Sequence, residues 1–214
     1  MSDITQDELP EALVHRPGQT PARRTLFGYV TPDHPRMDRL QNAISGVCAV
    51  LASAAIVIIV VLTTVEVISR TGFGAPLGWN VGFVEQYLMM AIAFFGTVTA
   101  YRTGAHVAVV TIFERLPVPA RKLLLVLTYL IILLGLVLLV YSGARATEFA
   151  FTTGQQPQPG QADLPWPAWW WKAIIPAAAS LGIVVVLIDL LKELMSPLRT
   201  VSTDYDPEHV AEEF

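Results

Sequence analysis

Residues 123–142 read LLLVLTYLIILLGLVLLVYS, a run without a single charge. A helix rises about 1.5 Å per residue, so a run of this length matches the hydrocarbon core of a bilayer, about 30 Å thick. Three further runs are long and apolar enough to do the same, at about 44–68, 81–101 and 171–191. A membrane-spanning strand needs only about ten residues and alternates polar with apolar side chains, so these runs are helices. Charged residues make up 15% of the chain, against about 25% in soluble domains, and they gather outside the runs. The expected fold is an all-α membrane protein with four transmembrane helices. Its membrane domain covers 38–195, between an N-terminal tail (1–37) and a C-terminal tail (196–214). The tails are polar and largely disordered by composition. Residues 1–40 are proline-punctuated and give no sign of a cleavable leader.

Lys and Arg decide the orientation. With both termini and the second connection on the cytoplasmic side, that side carries 11 basic residues and the other carries 3. Trp79 precedes the second run, and Trp166, Trp169, Trp170 and Trp171 surround the start of the fourth. Both groups then fall at the outer interface, where amphipathic rings settle among lipid head groups. In the second connection, Val107, Val110, Ile112, Phe113 and Leu116 alternate with Thr111, Glu114 and Arg115, before Pro117 and Pro119. That pattern predicts a short interfacial helix between the second and third spans.

Ionisable groups at membrane depth are the usual functional candidates, and here they sit near the ends of the runs. Glu66 and Arg70 are four apart, in the order that favours an intrahelical pair. Glu85 is expected at the same level, within reach of Arg70. Arg102 and His106 lie together at the other end of the second helix. These five residues are candidates for fixing helix packing or a subunit interface, whereas Arg145, Asp189 and Lys192 read as interfacial charges that snorkel to head groups. Gly96, Ala100 and Gly104 recur every four residues, a close-packing face for this bundle or for a partner helix. No charge lies midway along the third run, so a proton or ion path through this chain alone is not expected. Membrane haem proteins commonly use paired axial histidines, and only His106 lies near a span, so no cofactor and no metal are expected. No phosphate-cradling loop and no Ser-His-acid set is visible, and no basic stripe suits nucleic acid. Catalysis is not expected. Cys48 is the only cysteine, so no internal disulfide can form, and its place in an apolar run suits a small buried side chain.

Several stretches resemble one family. EVISRTGFGAPLGW (66–79), Glu85, FFGTVTAYRTGAHVAV (94–109), RLPVPARKLL (115–124) and LPWPAWWWKAIIP (164–176) are similar to the small membrane subunit of TRAP transporters, the tripartite ATP-independent periplasmic systems. The resemblance covers about 38–193. Its most specific element is the spacing of Gly96, Ala100, Arg102, Gly104 and His106. Many members carry two adjacent acids where this chain has Glu85 and Gln86, and an acid where it has Thr111. The resemblance implies a scaffold subunit in a bacterial inner membrane, packed on a larger transport subunit. That larger subunit would carry a small solute, often an organic acid, with sodium, after a periplasmic solute-binding protein delivers it. The implied partners are the large subunit, the binding protein in passing, and membrane lipids. An anchor or assembly subunit of another membrane complex is the alternative from the residues alone.

Overall fold

Proline has no N–H to donate and a fixed φ, which suits the first turn of a helix. From Pro35 the first helix, α1, runs unbroken over Pro35–Gly72. The computed structural model describes residues 23–30, 34–103, 117–156 and 166–195. The span expected at 44–68 is therefore the middle of a 38-residue helix, about 57 Å long at the standard rise. That is nearly twice the hydrocarbon thickness, so α1 tilts or projects beyond it. Gly74 and Gly78, with φ of 66° and 67°, then reverse the chain through left-handed backbone that glycine adopts without steric penalty.

The second span begins as α2 (Asn80–Phe83), widens into a π-helical turn over Val84–Leu88, and continues as α3 (Met89–Arg102). Pro117 and Pro119 flank the start of α4 (Val118–Thr152), which ends at Gly154 with φ 59°. The fourth span is a short α5 (Trp169–Lys172) followed by α6 (Ile174–Met195). All four spans are long and apolar enough to cross a membrane. The expected four-helix membrane fold is what the chain forms. Gly104, His106 and the interfacial helix expected near 107–116 lie outside the described residues, as do 1–22 and 196–214.

An element within the N-terminal stretch had no signal in the sequence. Strands β1 (Arg23–Thr25) and β2 (Gly28–Val30) pair antiparallel, Thr25 opposite Gly28, across the two-residue turn Leu26–Phe27. The hairpin lies against the start of α1. Phe27 covers Gly46, where a β-carbon would meet its ring at 3.3 Å.

The helices alternate in direction. One end of the bundle, the hairpin end, gathers the starts of α1 and α4 with the ends of α3 and α6. The tryptophan end holds the remaining termini. α3 packs between α1 and α6, and α4 packs on the far side of α6. Hence α6 is the central helix: 44% of the most apolar window of the fourth span is buried within the chain, against 6% for the third. Two glycines set the α4–α6 approach. A β-carbon at Gly143 would lie 2.8 Å from Pro176 Cδ, and one at Gly182 would lie 3.5 Å from Leu136. Cys48, Val98 and Val185 form one buried cluster between α1, α3 and α6, and Tyr129, Val186 and Leu190 form another between α4 and α6.

Candidate functional site

At the tryptophan end, the Glu66–Arg70 pair forms at 3.1 Å. Glu66 also accepts a hydrogen bond from the Leu77 N–H at 2.9 Å, and Ser69 donates to the Ala75 carbonyl. Its carboxylate thus ties the loop after α1 back onto the helix. Glu85 does not join this pair. It is exposed on the π turn, and among the described residues no ion pair reaches it. Arg145 pairs with Glu148 at 3.4 Å, with both side chains about two-thirds exposed. Pairs so open to solvent contribute at most about 1 kcal/mol.

The tryptophans divide into two roles. Trp166 stacks edge-on to Phe83 (5.2 Å between ring centroids) and Tyr87 (6.0 Å), and Trp79 meets Phe83 at 6.1 Å. Trp79, Trp166 and Trp171 pack around the buried Tyr87 and so join the second span to the fourth. Trp169 contacts Phe151 and Trp170. Trp170 is 48% exposed, the geometry of a ring turned to its surroundings.

The most organised polar site lies at the hairpin end. Every buried charged side chain among the described residues is there: Asp38, Arg102, Lys122, Asp189, Lys192 and Glu193. Three are acids and three are bases, so the set is neutral. Arg102, at the end of α3, donates to Asp38 at 2.9 Å and through Nε to Asn42 at 3.1 Å. Lys192 on α6 donates to the same Asp38 oxygen and to Gln41 Oε1 at 2.6 Å. The Gln41 amide donates in turn to Asp189 at 2.7 Å and to the Val185 carbonyl at 2.8 Å. Arg102 and Lys192 each approach Asp189 to 3.8 Å. One connected network therefore links α1, α3 and α6.

Local sequence explains the geometry. Asp38, Gln41, Asn42 and Ser45 recur at helical spacing, so α1 presents one polar stripe just before its apolar run. Asp189, Lys192 and Glu193 form a matching stripe at the end of α6. Hydropathy leaves the first stripe at the entry to the first span and the second at a membrane rim, because it scores residues singly and not as mutually neutralising partners. Of the sequence candidates, Arg102 is at the centre of this network, while Glu66, Arg70 and Glu85 are at the opposite end. Asp189 and Lys192 do not snorkel as expected: both are buried, at 8% and 9% exposure. The reason is that each meets an opposite charge inside the bundle.

Chemically, the network holds shape. Buried charges persist when paired and hydrogen-bonded. Among the described residues no group of His, Cys, Asp and Glu is arranged to hold a metal ion. Along the spans, Thr64, Thr97 and Thr128 each donate to a carbonyl one turn back in their own helix, at 2.6–2.8 Å. Their hydroxyls are thereby engaged within the backbone of the span. Among the described residues nothing lies within 4 Å of where a β-carbon on Gly96 of α3 would stand.

No curated protein matches the chain significantly. Residues 59–195 match the family model for the DctQ component of tripartite ATP-independent periplasmic transporters. That region holds three whole spans, the latter part of α1, and the Arg102, Asp189 and Lys192 side of the network. With well over half of its length in that match, the chain belongs to the family of small DctQ components of TRAP transporters.

Proposed function

We propose that this chain is the scaffold subunit of its transporter. In this reading it packs against the large membrane subunit, which carries a small organic acid with sodium after a periplasmic binding protein delivers it. Both termini face the cytoplasm, following the distribution of 11 basic residues to 3, and the tryptophan end faces the periplasm. There it offers a rim for the binding protein.

One observation carries the scaffold reading: the surface of the second span differs from the others. α1 exposes Val57, Val60 and Val61, and α4 exposes Leu130, Ile131 and Leu134. Such bulky aliphatic surfaces suit lipid tails. On α3 the only exposed large hydrophobic side chain is Met89, and the face continues through the exposed Ala93 and Thr97 and the half-buried Gly96. Helix contacts in membranes favour small residues that let backbones approach. Glu85, exposed on the same span, supplies a charge that a bilayer core disfavours and a protein partner can satisfy.

A pull-down in mild detergent tests the reading. Recovery of a large multi-spanning membrane protein is expected, and recovery of this chain alone, competent in transport by itself, overturns it. Gly96→Leu is expected to lower that recovery by about 10-fold or more, as a lost close helix contact would. Gly135→Leu, on α4, is the control, since its β-carbon position is equally open.

A further inference from the structure

The family match starts at residue 59, so neither the hairpin nor the α1 half of the ionic network belongs to the region that places the chain in its family. The two are joined by a continuous run of hydrogen bonds. Thr25 Oγ1 donates to the Gly28 carbonyl at 3.0 Å, and Asn42 Nδ2 donates to Thr25 Oγ1 at 3.2 Å. The other end of the Asn42 amide accepts from Arg102 Nε. Arg102 and Lys192 then share Asp38, and Lys192 and Gln41 carry the run into α6. Asn42 thus touches both hairpin and network, with hydrogen bonds of opposite sense.

Gly28 makes the contact close. Its φ of 146° lies in the region that side-chain-bearing residues rarely adopt, and a β-carbon there would stand 2.4 Å from Asn42 Oδ1 and 3.0 Å from Arg102 Cγ. Bare backbone thus lies directly on the Arg102 side chain, which is 1% exposed. On the other side of the turn, Phe27 rests on Gly46, one residue past the buried Ser45. Leu26, at the tip, projects outward, at 84% exposure.

We propose that the hairpin at residues 23–30 is a strap that seals the ionic network from water, with Asn42 as its clasp. Ion pairs weaken steeply as water raises the local dielectric, so the cross-link between α1, α3 and α6 depends on the strap staying closed. The hairpin is then a stiffening device for the scaffold, held by about two turns of α1 and one arginine.

The test uses the full chain in lipid nanodiscs, with Cys48→Ala and Ser45→Cys placing one thiol beside the network. A water-soluble methanethiosulfonate reagent reads its accessibility. The parent is expected to react slowly. Gly28→Val and, separately, Asn42→Ala are expected to raise the rate by about 10- to 100-fold, the range that backbone strain and a lost hydrogen-bonded clasp imply, with helical circular dichroism unchanged. Leu26→Ser is expected to react as the parent does. The proposal is overturned by fast labelling of the parent, or by labelling at the parent rate in a helical Gly28→Val or Asn42→Ala chain. Where Gly28→Val does not accumulate, deletion of residues 1–30 gives the same reading, with parent-like protection again overturning it. None of these readouts involves the large subunit, so they stand whether or not the scaffold role holds.

Discussion

Asp38→Asn is the sharpest probe of the ionic network, because one carboxylate oxygen serves two cations. Arg102 and Lys192 both bond Asp38 Oδ1, and the Asp38 side chain is fully buried. The substitution keeps the size of the side chain and removes its charge. The neutral set of three acids and three bases acquires a net charge of +1, and two cations lose their nearest anion. Removing one partner of a buried pair costs about 3–5 kcal/mol, because the remaining charge stays desolvated. A folded domain is typically stable by about 5–15 kcal/mol, so the loss is a large fraction of the total. Unfolding in nanodiscs or mixed micelles, followed by circular dichroism against sodium dodecyl sulfate, measures it. The exposed pair gives the internal comparison: Arg145→Ala is expected to change stability by at most about 1 kcal/mol. Combining Asp38→Asn with Lys192→Met restores neutrality and should recover part of the loss. An Asp38→Asn chain as stable as Arg145→Ala, or a double variant less stable than Asp38→Asn alone, refutes the reasoning.

Two further substitutions separate close packing from open surface. Gly143→Ala places a methyl 2.8 Å from Pro176 Cδ on the neighbouring helix and is expected to cost about 1–3 kcal/mol, whereas Gly182→Ala, buried but in ordinary contact 3.5 Å from Leu136, is expected to cost less; equal effects in the same unfolding assay contradict the packing described. Trp166→Ala removes the ring that meets both Phe83 and Tyr87 and is expected to cost about 3–5 kcal/mol, well beyond Trp170→Ala; the reverse order would mean that the tryptophans act only as lipid anchors.

The four spans were legible because burial in lipid demands long apolar runs, and nothing else in a chain of this size produces LLLVLTYLIILLGLVLLVYS. The helix ends were less so. α1 extends from Pro35, well before the apolar run, since its first turns are polar yet buried by partners on other helices. Hydropathy cannot anticipate that Asp38 on α1 meets Lys192, which is 154 residues away in sequence. Arg102 stands out in sequence by its place in a family-like spacing, and it proves central, but its partners Asp38 and Asn42 lie before the first apolar run, where hydropathy gives no reason to look. The hairpin left no trace because two three-residue strands carry too little alternation to register, and its stability comes from the contacts of Gly28 and Phe27 with α1 and α3. The spacing of Gly96 suits packing in this bundle or against a partner helix, and among the described residues its β-carbon position is open. The glycines that do set helix approach, Gly143 and Gly182, lie in runs where spacing gave them no distinction.

The two ends of the bundle are tied by different chemistry, and the difference has a mechanical consequence. At the tryptophan end, rings of α2, the π turn and the start of the fourth span pack around Tyr87, joined by a hydrogen bond from the Tyr87 hydroxyl to the Pro167 carbonyl at 3.4 Å. Edge-to-face ring contacts of this kind are worth about 0.5–1.5 kcal/mol each beyond the area they bury. At the hairpin end, the contacts are directional bonds between buried charges, and small displacements break them. Between the ends, α1, α3 and α6 meet through apolar residues around Cys48, Val98 and Val185, with a hydrogen bond from Thr99 Oγ1 to the Ser45 carbonyl at 3.1 Å. α4 is joined chiefly to α6 and is buried least. The rigid unit is thus three helices, α1, α3 and α6, and the exposed small-residue face of α3 belongs to that unit.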